Sequence, residues 1–217
     1  IGFLYGVLSA PSKKDKKKAM DEWWRTHFAL LIKCGLTKSE VLKAIDSGKV
    51  KFRHGVLKFL ENLHRNNIPL VIMSSSALGG EAIDLYLKRE KHFFDNINII
   101  SNSFVWDEQG NAVGVQEPVI SSMSKDETMI QNFPVFEKIE NRPNVILLGD
   151  NEGDVGMVEA FNYKYLIKIG FLNEDVNKHI EHFKKLYDLT ITNDGTFEPV
   201  NNLLKQKDIF PQVPCLY

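Results

Sequence analysis

Apolar residues in the first fifty positions recur at helical spacing. The residues that recur every three or four positions are Trp23, His27, Leu30, Leu31 and Cys34. This pattern predicts one helix over residues 12–34, with Ser12 as its cap and Gly35 at its end. A second helix is predicted over residues 37–48, because it opens with a Thr-x-x-Glu capping box and closes on glycine. Two amphipathic helices joined by a short turn indicate a small helical module.

Beyond residue 52 the pattern changes to short apolar runs that alternate with amphipathic segments. The apolar runs predict buried strands over residues 68–74, 96–101, 144–149, 163–169 and 187–192. The amphipathic segments predict helices over residues 54–67, 81–90, 125–133, 154–161 and 173–186. Residues 103–115 predict a hairpin that turns at 107–110. Strands that alternate with helices indicate the α/β class, with a parallel sheet covered on both faces.

The length and charge of the chain narrow its function classes. Its 217 residues are enough for one α/β domain and a smaller module, with a boundary predicted near residues 48–52. The net charge of −1 gives no reason to expect nucleic acid or an anionic membrane as a partner. No apolar run approaches the ~20 residues of a membrane span. The two cysteines, Cys34 and Cys215, are typical of a reducing compartment, so we expect a cytoplasmic protein.

The most informative polar cluster follows the strand predicted over residues 144–149. Asp150 comes directly after that strand, and Asp154 follows four positions later. Ligands of parallel sheets bind beyond the carboxyl ends of the strands, and a carboxylate buried there needs a partner such as Mg²⁺. Asp154 is then either an outer ligand or the partner of a lysine. The alternative is an acidic turn that only caps the next helix.

Two further clusters lie near predicted strand ends or helix starts. Ser74, Ser75 and Ser76 end a strand, where hydroxyls and free backbone N–H groups can bind a phosphate. Serines also cap helices routinely, so this cluster alone decides nothing. Lys125 lies near a helix start and is either a point charge for phosphate or one surface lysine among many.

Taken in order, the serine strand, the lysine and the strand with Gly-Asp-x(3)-Asp resemble motifs II, III and IV of the haloacid-dehalogenase-like (HAD-like) phosphohydrolases. Within them the chain is similar to the cytosolic 5′-nucleotidase III family, also called pyrimidine 5′-nucleotidases. The similarity is carried by "NVILLGDNEGDVGM", "YLIKIGFLNEDV", "DEWW" and "IPLVIMS". It extends over nearly the whole chain. It implies a Rossmann-like three-layer parallel sheet over residues 52–217, with a small helical cap domain over residues 1–51.

The resemblance also implies an activity and a set of roles. The activity is Mg²⁺-dependent hydrolysis of nucleoside 5′-monophosphates to nucleoside and phosphate through an aspartyl-phosphate intermediate. Ser74 and Ser75 would bind the phosphoryl group, and Lys125 would hold the attacked phosphate. Asp150 would ligate Mg²⁺, and Asp154 would support that site. A small-molecule nucleotide is the expected partner, and we expect a monomer.

In the cap, Trp23 is the residue expected to stack on the nucleobase. Adjacent helical residues cannot share one face, so Trp24 is expected to point inward. Thr26 or His27 falls where the family has a serine near the substrate. The family's acid before the cap helix is missing from "LYGVLSAP", and Gly80 stands where the family has another acid. These departures leave the preferred base open.

The family's nucleophile is also absent from these residues. Its enzymes carry an Asp-x-Asp at the end of a first strand, and no two aspartates of this chain are separated by a single residue. We expect the nucleophile upstream of Ile1 and expect residues 1–217 alone to be inactive. Two alternatives are a HAD-type phosphatase for another small phosphomonoester and a catalytically dead, nucleotide-binding relative.

Overall fold

The structure is a computed structural model that describes residues 12–125, 130–158 and 161–205. These residues form two compact units. The first comprises residues 12–50, 71–93 and 99–124. The second comprises residues 51–70, 94–98, 125, 130–158 and 161–205. The division into a cap over residues 1–51 and a core over residues 52–217 stays a prediction.

Helices and strands alternate through most of the described residues. The helices are α1 (Lys13–Lys33), α2 (Lys38–Asp46), α3 (Val56–Arg65), α4 (Gly80–Arg89), α5 (Phe136–Ile139), α6 (Val176–Leu186) and α7 (Glu198–Leu204). The strands are β1 (Leu70–Ser74), β2 (Ile97–Ser101), β3 (Phe104–Trp106), β4 (Ala112–Val115), β5 (Asn144–Gly149), β6 (Tyr165–Leu172) and β7 (Leu189–Thr192). A 3₁₀ helix spans Glu152–Val158. The α/β class predicted from the alternating pattern is confirmed.

The first two helices begin and end where their capping signals predict. Ser12 accepts the N–H of Asp15 at 3.2 Å, and Gly35 follows α1 with a φ of 77°. Thr37 and Glu40 form the predicted capping box at the start of α2. Reciprocal capping of this kind satisfies backbone N–H groups that have no partner inside the helix.

The core of the first unit lies beneath α1, α2 and the β3–β4 hairpin. Its buried residues are Phe28, Leu36, Val41, Ile45, Phe104, Ala112 and Val119. Phe28 of α1 packs edge to face on Phe104 of β3, with 5.5 Å between ring centroids. The hairpin is antiparallel, as predicted, and Asp107 holds its turn by accepting the N–H groups of Gln109 and Asn111. The helices of this unit are therefore packed on a sheet element.

The second unit contains a parallel sheet in the order β5-β6-β7. The pairing register sets Gly149 at the end of β5 opposite Gly170 of β6. Phe183 of α6, Tyr187 and Leu172 form a buried cluster beside these strand ends. β1 and β2 form a two-stranded sheet. The carboxyl end of β5 is where the predicted catalytic aspartates follow.

The structure differs from the sequence prediction in the segment after β5 and in two short helices. The helix predicted over residues 154–161 is a 3₁₀ helix over Glu152–Val158, with residues 159–160 outside the described part of the chain. Asp154 bonds back to N–H groups of the preceding turn, and such local bonding competes with α-helical pairing. Of the helix predicted over residues 125–133, residues 126–129 lie outside the described part of the chain, and residues 131–133 are not helical. The short helices α5 and α7 were not predicted.

The longest described helix, α1, carries many charged residues. Among the residues the structure describes, no helix combines the length and the apolarity needed to cross a bilayer.

Candidate active site

The site begins at the carboxyl end of β5. The four residues before Gly149 are apolar, as is typical of a strand in a parallel sheet covered on both faces. Asp150 follows at once, and its side chain is exposed. Asp150 Oδ1 accepts a hydrogen bond from the amide of Asn151 at 3.2 Å. Most of this carboxylate therefore stays available to a ligand.

Asp154 has the opposite environment, because only 3% of the residue is exposed. Its Oδ2 accepts three hydrogen bonds from the preceding turn. These come from Asp150 N at 2.9 Å, Asn151 Nδ2 at 3.1 Å and Asn151 N at 3.2 Å. Asp154 thus holds the backbone of Asp150 and Asn151 in place. A buried carboxylate is stable only with such partners.

Lys125 completes the arrangement from another part of the chain. Its Nζ donates to Asp154 Oδ1 at 3.1 Å, and the lysine side chain is 10% exposed. Of the two roles left open for Asp154, the structure supports the lysine partner. The three residues predicted for the lysine and aspartate motifs, Lys125, Asp150 and Asp154, therefore lie together in the second unit.

Tyr187 is a neighbour of this site that the sequence analysis missed. Its hydroxyl donates to the carbonyl oxygen of Asn151 at 2.6 Å. Burial, with the nearby negative charges of Asp154 and Asp150, raises the pKa of Tyr187 well above its usual range, so the phenol stays protonated. The only sequence signal was indirect, in the glycines of "LLGD" and "IKIG" that make room for its ring.

The chemistry of these residues can be tested against Mg²⁺. Within the described ranges, no group of three or more His, Cys, Asp and Glu side chains is arranged to hold a metal. Mg²⁺ needs less from the protein, since one or two carboxylates are commonly completed by water and substrate phosphate. The exposed carboxylate of Asp150 fits as one such ligand. Asp154 does not, because both of its oxygens already accept hydrogen bonds.

The predicted phosphate-binding serines belong to the first unit. Ser74 ends β1, Ser75 follows it, and both are half-buried. They do not cap α4, whose N-cap is Gly79 without any side-chain hydrogen bond. Gly80, the first residue of α4, lies at a crowded point, since a Cβ there would lie 3.1 Å from Ser101 Cβ. The capping alternative for these two serines is therefore not supported.

The predicted base contacts also belong to the first unit. Trp24 packs against the core cluster, whereas the ring of Trp23 stacks nearly parallel on His27, with 5.6 Å between centroids. Both tryptophans are half-buried. Nε2 of His27 is buried and has no hydrogen-bond partner among the described residues. Buried polar atoms are usually paired, and this nitrogen is one of the exceptions among the described residues.

Solved structures define the class of fold. The crystal structure of cytosolic 5′-nucleotidase IIIB bound to cytidine superposes with a TM-score of 0.76 at 22% identity, covering 92% of this chain and 67% of that one. A substrate-bound phosphoserine phosphatase superposes with a TM-score of 0.56 at 17% identity, covering 94% and 89%. The chain therefore has the fold of the HAD-like phosphatases.

Sequence comparison then shows the family. Residues 9–207 match the family described as pyrimidine 5′-nucleotidase (UMPH-1), and the chain belongs to that family. Similar relatives are the 7-methylguanosine phosphate-specific 5′-nucleotidases of Homo sapiens, 32% identical, and Mus musculus, 31% identical. Each alignment covers 88% of this chain and 64% of the relative. The chain thus spans somewhat less than two thirds of those relatives' length.

Proposed function

We propose that this chain forms part of a Mg²⁺-dependent 5′-nucleotidase, a phosphoric monoester hydrolase of the cytoplasm. The observation that carries the proposal is the arrangement at the end of β5. There a nearly buried lysine is held by a buried aspartate, beside a second aspartate that faces solvent. Such an arrangement offers a fixed positive charge and a metal ligand to a phosphate, within a family whose relatives are named 5′-nucleotidases.

Lys125 supplies the fixed charge in this proposal. An ammonium group has three N–H donors, and the bond to Asp154 uses one of them. Toward the described residues the other two donors are unused, and we assign them to phosphate oxygens. Because the lysine side chain is nearly buried, little rotamer freedom remains to be lost when phosphate binds. Transfer of a phosphoryl group depends mainly on such positioning and charge stabilisation.

Asp150 supplies the metal ligand, and Asp154 holds its backbone in place. Mg²⁺, when bound, neutralises the charge of the phosphate and lowers its repulsion of an anionic nucleophile. Ser74 and Ser75 bind the phosphoryl group with their hydroxyls. The nucleophile is not supplied by an Asp-x-Asp pair of these 217 residues.

Base recognition is assigned to Trp23 and His27. The half-buried indole of Trp23 offers a stacking surface to a base, and His27 stacks against that indole and supports it. A nucleoside 5′-monophosphate provides both an aromatic ring and a phosphate. The relatives are 7-methylguanosine phosphate-specific 5′-nucleotidases, and the similar structure has cytidine bound, so nucleotides of both bases belong among the substrates to be tested.

A substrate panel tests this function directly. Full-length protein with Mg²⁺ is assayed on cytidine, uridine and 7-methylguanosine monophosphates, on phosphoserine and on p-nitrophenyl phosphate. We expect kcat/KM for one or more nucleotides to exceed that for phosphoserine by roughly 5- to 150-fold, the equivalent of one base stack. Preference for phosphoserine would indicate a phosphatase of another substrate class. Nucleotide binding without hydrolysis would indicate a non-catalytic relative.

A further inference from the structure

We propose that Tyr187 is a positioning residue that fixes the turn carrying Asp150. The proposal rests on the proposed function, in which Asp150 binds Mg²⁺. Tyr187 follows α6 and is itself no ligand, since its hydroxyl is directed at a backbone carbonyl. Its role is to hold the residue next to Asp150 in one orientation.

The contact lies one residue from the proposed metal ligand. The hydroxyl of Tyr187 donates to Asn151 O at 2.6 Å, and Asp154 N donates to the same oxygen at 3.2 Å. On its other side Asn151 donates to Asp154 through its N–H and its side-chain amide. Asn151 is therefore held at its carbonyl, its N–H and its side chain. Asp150, joined directly to it, has little freedom to turn away.

Two paired glycines make this contact possible. Gly149 and Gly170 lie opposite each other in the β5–β6 register. A Cβ on Gly149 would lie 2.5 Å from the Tyr187 hydroxyl oxygen, and a Cβ on Gly170 would lie 2.7 Å from its ring. The tyrosine ring thus occupies a slot left by two absent side chains. The slot lets the hydroxyl of Tyr187 reach the turn. A side chain that only packed against the sheet would not need to reach that far.

A second contact from α6 reaches the same turn but contributes less. His182 Nε2 lies 2.9 Å from Glu152 Oε2, and the two side chains are 52% and 75% exposed. Exposed pairs of this kind add little because solvent competes with them. Tyr187 is only 4% exposed, so its hydrogen bond is shielded from such competition. The positioning is therefore assigned to Tyr187.

Tyr187→Phe removes the hydroxyl and keeps the ring. Loss of one hydrogen bond should loosen Asn151, and the N–H groups of Asp150 and Asn151 should then exchange with solvent about two- to tenfold faster. The affinity for Mg²⁺ should fall by a similar factor, about two- to tenfold, because the ligand is less well oriented. At saturating Mg²⁺, kcat should recover towards the wild-type value.

Phe183→Leu is the matched control. Phe183 packs in the same cluster as Tyr187, with 5.3 Å between ring centroids, but it makes no contact with the turn through a hydroxyl. This variant loosens the packing of α6 and leaves the hydrogen bond in place. Thermal melts of both variants show how much each one loses in general stability.

The experiment uses the full-length protein and three measurements: amide exchange by NMR, Mg²⁺ binding by calorimetry and Mg²⁺ activation of nucleotide hydrolysis. Faster exchange at residues 150 and 151 with weaker Mg²⁺ binding in Tyr187→Phe, beyond any change in Phe183→Leu, supports the proposal. Unchanged exchange and binding, or equal changes in both variants, overturn it. If the wild-type protein hydrolyses no nucleotide, the proposed function fails, and amide exchange with calorimetric Mg²⁺ binding still decides the role of Tyr187.

Discussion

At the scale of single residues, two aspartates of one motif have different environments. Asp150 is exposed, and Asp154 is buried with both oxygens bonded. The sequence predicted a metal ligand at Asp150 and left two roles open for Asp154. It could not choose between them, because the choice depends on Lys125, which is 29 residues away and reaches Asp154 only through the fold. The same holds for His27, whose buried nitrogen has no signature in the sequence.

Asp154→Ala tests the buried ion pair. It leaves the ammonium of Lys125 buried without its partner and frees two backbone N–H groups, so unfolding should become easier by about 3–5 kcal/mol. Asp150→Ala is the control, because an exposed side chain should change stability by about 0.5 kcal/mol or less. Both are measured by urea denaturation without metal. Equal effects of the two substitutions would contradict the assignment.

Trp23→Ala tests base recognition in the full-length protein. Losing a stack should lower kcat/KM for nucleotides, relative to p-nitrophenyl phosphate, by the equivalent of ~1–3 kcal/mol. The control is Trp24→Phe, which alters the tryptophan that packs against the core cluster. Equal losses on both substrates in Trp23→Ala would mean that Trp23 only packs and that the base is bound elsewhere.

At the scale of elements, most helices and strands were predictable because their periodicity and caps are local. The capping box of α2 and the apolar run of β5 are examples. A helix was predicted after β5, but its 3₁₀ form was not, since the hydrogen bonds of Asp154 to the preceding turn appear only once the turn has formed. The slot for Tyr187 could not be predicted, because it depends on the register that sets Gly149 opposite Gly170.

Gly170→Ala tests that slot. A Cβ there would collide with the ring of Tyr187, and overpacking of this kind should cost about 1–3 kcal/mol of folding free energy. Gly114→Ala in β4 is the control, since its Cβ would meet Val105 at an ordinary 3.6 Å. That substitution should be neutral or stabilising by about 0.4–1 kcal/mol. Equal melting temperatures for the two variants would contradict the proposed slot.

At the scale of the whole molecule, the order and spacing of the motifs predicted the fold class and the family, and both are confirmed. The proposed site residues are divided between two compact units: Ser74, Ser75, Trp23 and His27 belong to the first, and Lys125, Asp150 and Asp154 to the second. The complete reaction also needs a nucleophile, and no Asp-x-Asp pair occurs in these 217 residues. Because the chain spans somewhat less than two thirds of its relatives' length, activity is best tested in the full-length protein.

The central claim is that Asp150 binds Mg²⁺ for phosphate hydrolysis, and Asp150→Asn tests it most directly. The substitution keeps the size of the side chain but exchanges a carboxylate for an amide, a poorer Mg²⁺ ligand. Nucleotide hydrolysis is measured across a Mg²⁺ titration, beside a thermal melt of the metal-free protein. We predict a near-complete loss of activity, larger than the roughly 10- to 100-fold loss that is typical when a residue supporting a metal ligand is changed. The stability of the metal-free protein should be unchanged or slightly higher. Near-normal activity at ordinary Mg²⁺ would contradict the claim. It would indicate that Asp150 only caps the following helix, a role that asparagine fills as well as aspartate does.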